Sequence, residues 1–340
     1  MELLDKFAAL RHCSRMHHHL SPKKIILSSS KWIISLGMLY YVLHSIDMDE
    51  VFDMLKNQNP VIPALVIVLM LVQMLTSTSR WQRVIYVLCG KTLTTRYSQL
   101  AKLNMISMFF NSCLPGTIGG DVVRAMLLRR ENIAITLCAH SVIIDRLMAM
   151  FGVYFMATAS LPFLGMLIPS LNVPLLLAAS VIAMIIAMIF LERAPKFLEK
   201  FPHNHLTTLT RDLLKNIHLL VFSPKEFTVV LLMAILSHGY FCMGVYLIAA
   251  SLGTPLTPAE SLLLIPPVIL LTMLPISVGG WGVREVSMVG FLALVGVPKE
   301  AALTISVQFG LLLILASLPG AWYYATLRKP EAVENAAGQS

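Results

Sequence analysis

The sequence predicts an all-α polytopic membrane protein, arranged as an inverted repeat with six full spans and two re-entrant broken-helix hairpins. Three observations carry that expectation. The 340 residues are 57% hydrophobic and 13% charged, whereas soluble domains carry about 25% charged residues. Long apolar runs alternate with short basic or acidic loops, the pattern of successive bilayer crossings. One motif also occurs twice: residues 114–124 read LPGTIGGDVVR and residues 274–284 read LPISVGGWGVR. The Leu, the Pro, both Gly, the Val and the Arg match at one constant offset. Strands alternating polar and apolar residues, as an outer-membrane barrel requires, are absent from the sequence.

Each element follows from charge and length. Residues 1–24 form a basic lead. Its His17, His18 and His19 lack flanking ligands and read as a solvated surface. A first span covers 25–46, and the next loop is acidic, with Asp47, Asp49, Glu50 and Asp53. A second span covers 61–79 and ends in Arg80-Trp81-Gln82-Arg83, read as a basic and aromatic interface anchor. The loop beyond is basic, with Lys91, Arg96 and Lys102. The lead and this loop are therefore expected in the cytoplasm and the acidic loop outside.

The first motif follows an apolar run, 103–114, that is shorter than the roughly 20 residues a full span needs. Both flanks are basic, so a hairpin that enters and leaves on one side satisfies the charges. A span over 133–163 contains Asp145-Arg146, an uncharged loop holds Pro162, Pro169 and Pro174, and another span covers 174–191. Residues 192–226 are polar, with Leu206, Leu209, Leu213, Leu214, Ile217 and Leu220 at helical spacing. They read as an amphipathic helix on the cytoplasmic face. A span over 227–250, an apolar segment over 261–274, the second motif and a span over 301–327 complete the chain before the polar tail 328–340. The expected halves are thus 25–191 and 227–327, in opposite orientations, with both termini cytoplasmic. Eight ordinary spans would also keep both termini inside.

The doubled motif is the candidate site. Proline breaks a helix and glycine permits unusual backbone and close approach. Paired broken segments in two halves mark the substrate site of repeat-built transporters. A helix starting after each glycine pair would present free N–H groups and a positive dipole end, which bind phosphate or carboxylate. Thr117, Gly119, Gly120 and Arg124 from one copy, Ser277, Gly279, Gly280 and Arg284 from the other, and Arg146 are the expected substrate-binding residues. An intramembrane charge costs about 2.5–3.5 kcal/mol on insertion scales, so Asp121, Asp145 and Glu285 are expected to balance these arginines in a polar interior. Pinning helices together is the alternative role for all these charges. His140 and His238 read as hydrogen-bonded packing residues, and Gln73, Asn104, Asn111 and Gln308 as cavity-lining or cross-helix bonds. The 20 methionines read as packing.

The net charge of +8 fits positive cytoplasmic loops and requires no nucleic acid. Cys13, Cys89, Cys113, Cys138 and Cys242 form no CxxC pair and read as buried thiols. Gly-x-Ser-x-Gly, His-Glu-x-x-His and Walker sequences do not occur. Neither catalysis, a metal nor a cofactor is expected.

The stretch FFNSCLPGTIGGDVVRA, the Asp145-Arg146 pair within a span and PISVGGWGVREVSM together resemble the flippase-like transmembrane domain of lysylphosphatidylglycerol synthase. The resemblance covers about residues 25–327. The family often has Glu-Arg where this chain has Asp145-Arg146, which keeps the charge and shortens its reach. Only residues 328–340 follow, so a stand-alone member without the aminoacyl transferase domain is expected. The resemblance implies lipid handling and leaves the cargo open, since relatives are linked to phospholipids, hopanoids and polyprenyl-linked glycans. With the positive helix ends, the expectation is a translocase of anionic or phosphate-bearing lipid in the bacterial inner membrane. Its expected partners are those lipids, lipid-synthesis enzymes and a second copy of the chain. An accessory or scaffold subunit of a lipid or envelope-glycan complex, or a membrane enzyme acting on a lipid-linked substrate, are the alternatives.

Overall fold

The computed structural model describes residues 56, 58–90, 92, 95–113, 119–198, 204–273 and 280–327. The expected basic lead, the first span 25–46, the tail and the turn of each motif lie outside the described residues. Within them the chain is helical: α1 (Val61–Leu88), α2 (Tyr97–Cys113), α3 (Gly119–Leu128) with a 3-10 turn (Arg129–Glu131), α4 (Ile135–Ala159), α5 (Leu161–Leu167), α6 (Val173–Leu198), α7 (His205–Val221), α8 (Pro224–Ser251), α9 (Pro258–Thr272), α10 (Val283–Ala293) and α11 (Lys299–Thr326). Of these, α1, α4, α6, α8 and α11 are long and apolar enough to cross a membrane. The protein is an all-α, multi-pass membrane protein.

Several ends differ from the expectation. The second span does not stop at residue 79, because α1 continues to Leu88. At 1.5 Å per residue its 28 residues span about 42 Å, more than the roughly 30 Å hydrocarbon layer. The apolar run 103–114 belongs to a longer helix that starts at Tyr97. The span 133–163 divides at Ser160 into α4 and the short α5. Helix α9 begins at a capping box in which Thr257 Oγ1 accepts from Glu260 N and Glu260 accepts from Thr257 N. That Thr-x-x-Glu spacing is a helix start readable from sequence.

Two helical hairpins, α2–α3 and α9–α10, are built on a central pair of helices. α1 and α8 run antiparallel: Gln58 bonds Ser251 at one end, Val66 packs by Gly244, and Arg83 bonds Glu226 at the other end. α2 follows the end of α1 and turns back into α3, so that Gly120 meets Asn111 while Arg124 meets Asn104. α9 follows the end of α8 and packs on α10. The two hairpins therefore start from opposite ends of the bundle. The packing also mirrors itself. α1 touches α2 and α4 as α8 touches α9 and α11, and each hairpin crosses over, α2 onto α11 and α9 onto α4. This correspondence joins α1–α4 to α8–α11, with α5, α6 and α7 outside it.

The core follows these contacts. Val66, Met70, Val245, Ile248, Ile265, Ile269, Met288, Leu292, Ile305 and Phe309 form one cluster across both halves. The amphipathic α7 is present, but the bundle receives its apolar face. Leu220, Leu213 and Ile217 pack with Val84, Ile144, Met148 and Val230. Asn204 caps it by accepting from Thr207 N at 2.8 Å. α6 is peripheral, with Val181, Ile182, Ile185, Ile186 and Phe190 all exposed. Those apolar side chains have no reason to face water, and a lipid environment suits them.

Small residues set the closest contacts. A Cβ on Gly320 of α11 would strike the Met105 carbonyl of α2, and one on Gly152 of α4 would strike Ala234 of α8. Backbone cannot yield as a side-chain tip can, so overpacking of about 1–3 kcal/mol outweighs alanine's helix preference of about 1 kcal/mol. Gly320→Ala should lower the thermal midpoint in detergent, while Gly239→Ala, with nothing within 4 Å, should leave it unchanged or higher.

Candidate functional site

Two polar stripes begin the site. On α1, Gln73, Ser77 and Arg80 recur at steps of four and three, and on α2, Asn104, Ser107 and Asn111 do the same. Residues so spaced share one helix face. Both stripes line a cavity of about 390 Å³. Asp121 and Arg124 enter it from α3, and Asp145 and Arg146 from α4. The opposite hairpin brings Met273, Trp281 and Arg284, and α11 brings Gly310. The two motif arginines, about 160 positions apart in sequence, thus open on one space.

A chain of alternating charges crosses the first half of the site. Arg80 Nε donates to Asp145 Oδ1 at 2.7 Å. Arg124 Nη2 donates to Asp145 Oδ2 at 3.1 Å and lies 3.1 Å from Asp121 Oδ1. Arg146 Nη1 donates to Asp121 Oδ2 at 2.5 Å. Both oxygens of each carboxylate are used, the condition under which a desolvated ion pair holds. Exposure rises along the chain: the Arg80, Asp145 and Arg124 side chains are at most 5% exposed, Asp121 9% and Arg146 37%. Arg124 also donates to Asn104 Oδ1 and lies 4.8 Å over the Trp81 ring. Trp81 in turn donates from Nε1 to Ser141 Oγ.

The second motif has its own arrangement. Gly280 and Gly282 take φ of +82° and +86°, a region open to glycine at little cost. They turn the chain into α10, where Gly282 N donates to Glu285 Oε2 at 2.6 Å. Glu285 is fully buried, and its Oε1 accepts from Arg284 Nη2 at 2.8 Å and Ser306 Oγ at 3.1 Å. Arg284 lies 4.7 Å over the Trp281 ring, and its guanidinium lies where a Cβ on Gly310 would fall. Each motif arginine is thus held by one carboxylate or more and one indole.

Thr117, Ser277 and Gly279 lie outside the described residues. Arg124, Arg146 and Arg284 all reach the cavity, and Asp121, Asp145 and Glu285 balance them by direct ion pairs. Asp145 and Arg146 diverge, as adjacent helical residues about 100° apart must. Gly119 starts α3, so Arg124 falls in its second turn. The glycines also work differently from the expectation. A Cβ on Gly120 would strike the Ser107 carbonyl, so the missing side chain makes room for α2 rather than for a ligand. Nor are the helix starts free. Gly120 N donates to Asn111 Oδ1 at 2.9 Å, and Glu285 occupies the start of α10.

Arg80 and Trp81 are the largest correction. Read as an interface anchor, they are buried inside the bundle. The stripe Gln73–Ser77–Arg80 was the available signal. Gln73, Asn104 and Asn111 line the cavity, whereas Gln308 bonds Gln58 away from it. His238 Nε2 bonds the Ala149 carbonyl at 2.9 Å, and His140 Nδ1 bonds Asn216 at 3.0 Å. Both histidines are packing residues. Cys89, Cys138 and Cys242 are free thiols, and burial pushes the Cys89 thiol up from its ordinary value. Among the described residues no cluster could hold a metal ion.

Fold and site together define a multi-pass helical membrane protein with a charged, partly open cavity between two hairpins. The chain belongs to the family of the lysylphosphatidylglycerol synthase transmembrane region, whose model matches residues 29–320. That family places it among membrane proteins of lipid metabolism or transport. No curated protein matches the chain.

Removing one partner of a buried ion pair costs about 3–5 kcal/mol. Asp145→Ala strands Arg80 and weakens the hold on Arg124, whereas Arg80→Ala leaves Asp145 paired with Arg124. Denaturant unfolding in micelles should show the larger loss for Asp145→Ala, and Arg80→Met added to it should recover part of that loss.

Proposed function

We propose that this chain is a translocase that moves a lipid with an anionic or phosphate-bearing head group between the leaflets of a bacterial inner membrane. One observation carries the reading: arginines from hairpins that start at opposite ends of the bundle line one cavity. A head group entering from either side meets positive charge from both halves, while its tails remain in lipid. The antiparallel α1–α8 pair and the mirrored packing around it support an inverted repeat, an arrangement in which one half rocks against the other.

Within this reading Arg146 and Arg284 contact the head group, since both line the cavity and retain exposure. Arg80, Arg124 and Asp145 hold the cavity wall. Gln73 and Ser77 supply neutral hydrogen bonds along the path. No bond of the lipid changes, so the protein acts without enzymatic chemistry or a cofactor. In this reading the starts of α2 and α8 and both termini are cytoplasmic, the side that the excess of Lys and Arg in the connecting loops favours.

The test is lipid movement between leaflets of vesicles holding the purified protein, followed with a fluorescent short-chain phosphodiester lipid. The variant Arg146→Gln, Arg284→Gln should lower the rate about tenfold or more, the scale of losing one charge-assisted contact per arginine. Wild-type rates in that variant would refute the proposed path.

A further inference from the structure

We propose that Asp121 is an exchangeable stand-in for the ligand's phosphate: it pairs with Arg146, and an arriving phosphate displaces it. The proposal rests on the anion-binding reading of the cavity and adds to it which carboxylate yields.

The ion chain has an inner part and an outer part. In the inner part Asp145 gives one oxygen to Arg80 and the other to Arg124, and all three side chains are almost fully buried. In the outer part Asp121 gives one oxygen to Arg124 and the other to Arg146. The two carboxylates differ in what their loss would leave behind. Without Asp145, Arg80 has only hydroxyl groups within hydrogen-bonding reach among the described residues, from Ser237 and Ser77. Without Asp121, Arg124 still has Asp145, Asn104 and the Trp81 ring. Only Arg146 depends on Asp121, its single hydrogen-bonding partner among the described residues.

Arg146 is also the most exposed member of the chain, at 37%, and both it and Asp121 line the cavity. A guanidinium carries five N–H donors and accepts two oxygens side by side. The Arg146–Asp121 bond uses one nitrogen and leaves room for a phosphate to take more. Asp121 sits in the first turn of α3, next to Gly120, which is pinned to Asn111. Release of its outer oxygen therefore leaves α3 in place. Before a ligand binds, the carboxylate keeps a partly desolvated arginine paired. In the loaded cavity the phosphate does so, and Asp121 keeps its bond to Arg124. The exchange is a competition, so Asp121 lowers apparent affinity and in return eases release of the head group.

The test is calorimetric titration of the purified full chain in detergent, with inorganic phosphate in one arm and dihexanoyl phosphatidylglycerol in the other. Asp121→Asn should bind the anion about tenfold more tightly than wild type, because the internal competitor is gone. Asp121→Glu should restore near wild-type affinity. The Asp121→Asn, Arg146→Gln pair should bind no better than Arg146→Gln alone, since the gain acts through Arg146. Equal or weaker binding by Asp121→Asn, with an unaltered thermal midpoint, would overturn the exchange while leaving the anion site intact. If Asp121→Asn unfolds, the Arg146→Gln background decides: a gain there from Asp121→Glu would equally overturn it. Failure of every form to bind either anion would overturn the anion site and the exchange together. Tightening confined to the lipid arm identifies the lipid head group as the displacing anion, and tightening in both arms identifies the phosphate chemistry itself.

Discussion

Two arginines from different helices share the two oxygens of Asp145, and the first hairpin is held in place through that carboxylate. Arg80 ties α1 to α4, and Arg124 ties α3 to α4. In water such pairs contribute little. Inside an apolar bundle each charge left alone is costly, so all three must be satisfied together. Helix α3 has only 10 residues, too few to be stable by itself. Its fixed position comes from Asp145 on one side and from the close approach of Gly120 to α2 on the other.

The second hairpin meets the same requirement by another route. Glu285 is its fully buried carboxylate, and it closes the start of α10, binds Arg284 and accepts from Ser306 of α11. The doubled motif thus encodes a shared solution, an arginine on an indole beside a carboxylate, with the carboxylate drawn from different places. In one half it comes from α4 and from the motif itself, in the other from the residue after the arginine. The cavity lies between these two sets, so the most costly charges in the chain are gathered in its wall. That placement sets a polar cavity inside a molecule whose long helices present apolar side chains outward.

Much of this was legible in the sequence because the relevant signals are local. Apolar length marked the five long helices among the described residues, and the repeated Pro, Gly-Gly and Arg spacing marked the breaks between α2 and α3 and between α9 and α10. The adjacency of Asp145 and Arg146 required that they face different partners. What was not legible depends on packing. A basic residue after an apolar run ordinarily marks a membrane interface, and only the presence of Asp145 opposite α1 makes Arg80 an interior residue. Gly120 could be recognised as a close contact, but the sequence does not say whether a ligand or the Ser107 carbonyl fills the space. The Gln58–Gln308 bond joins residues about 250 positions apart, a separation over which neither periodicity nor motif spacing carries information.

The two motifs face each other across one cavity, and the rest of the site depends on that placement. Ser112 and Met273 both line it, one just before each motif. In a cysteine-free background, Ser112→Cys with Met273→Cys should be bridged by a bifunctional thiol reagent short enough to fit that space, giving a linked peptide pair by mass spectrometry from a monomer. Labelling of both thiols without any intramolecular link would contradict the shared cavity.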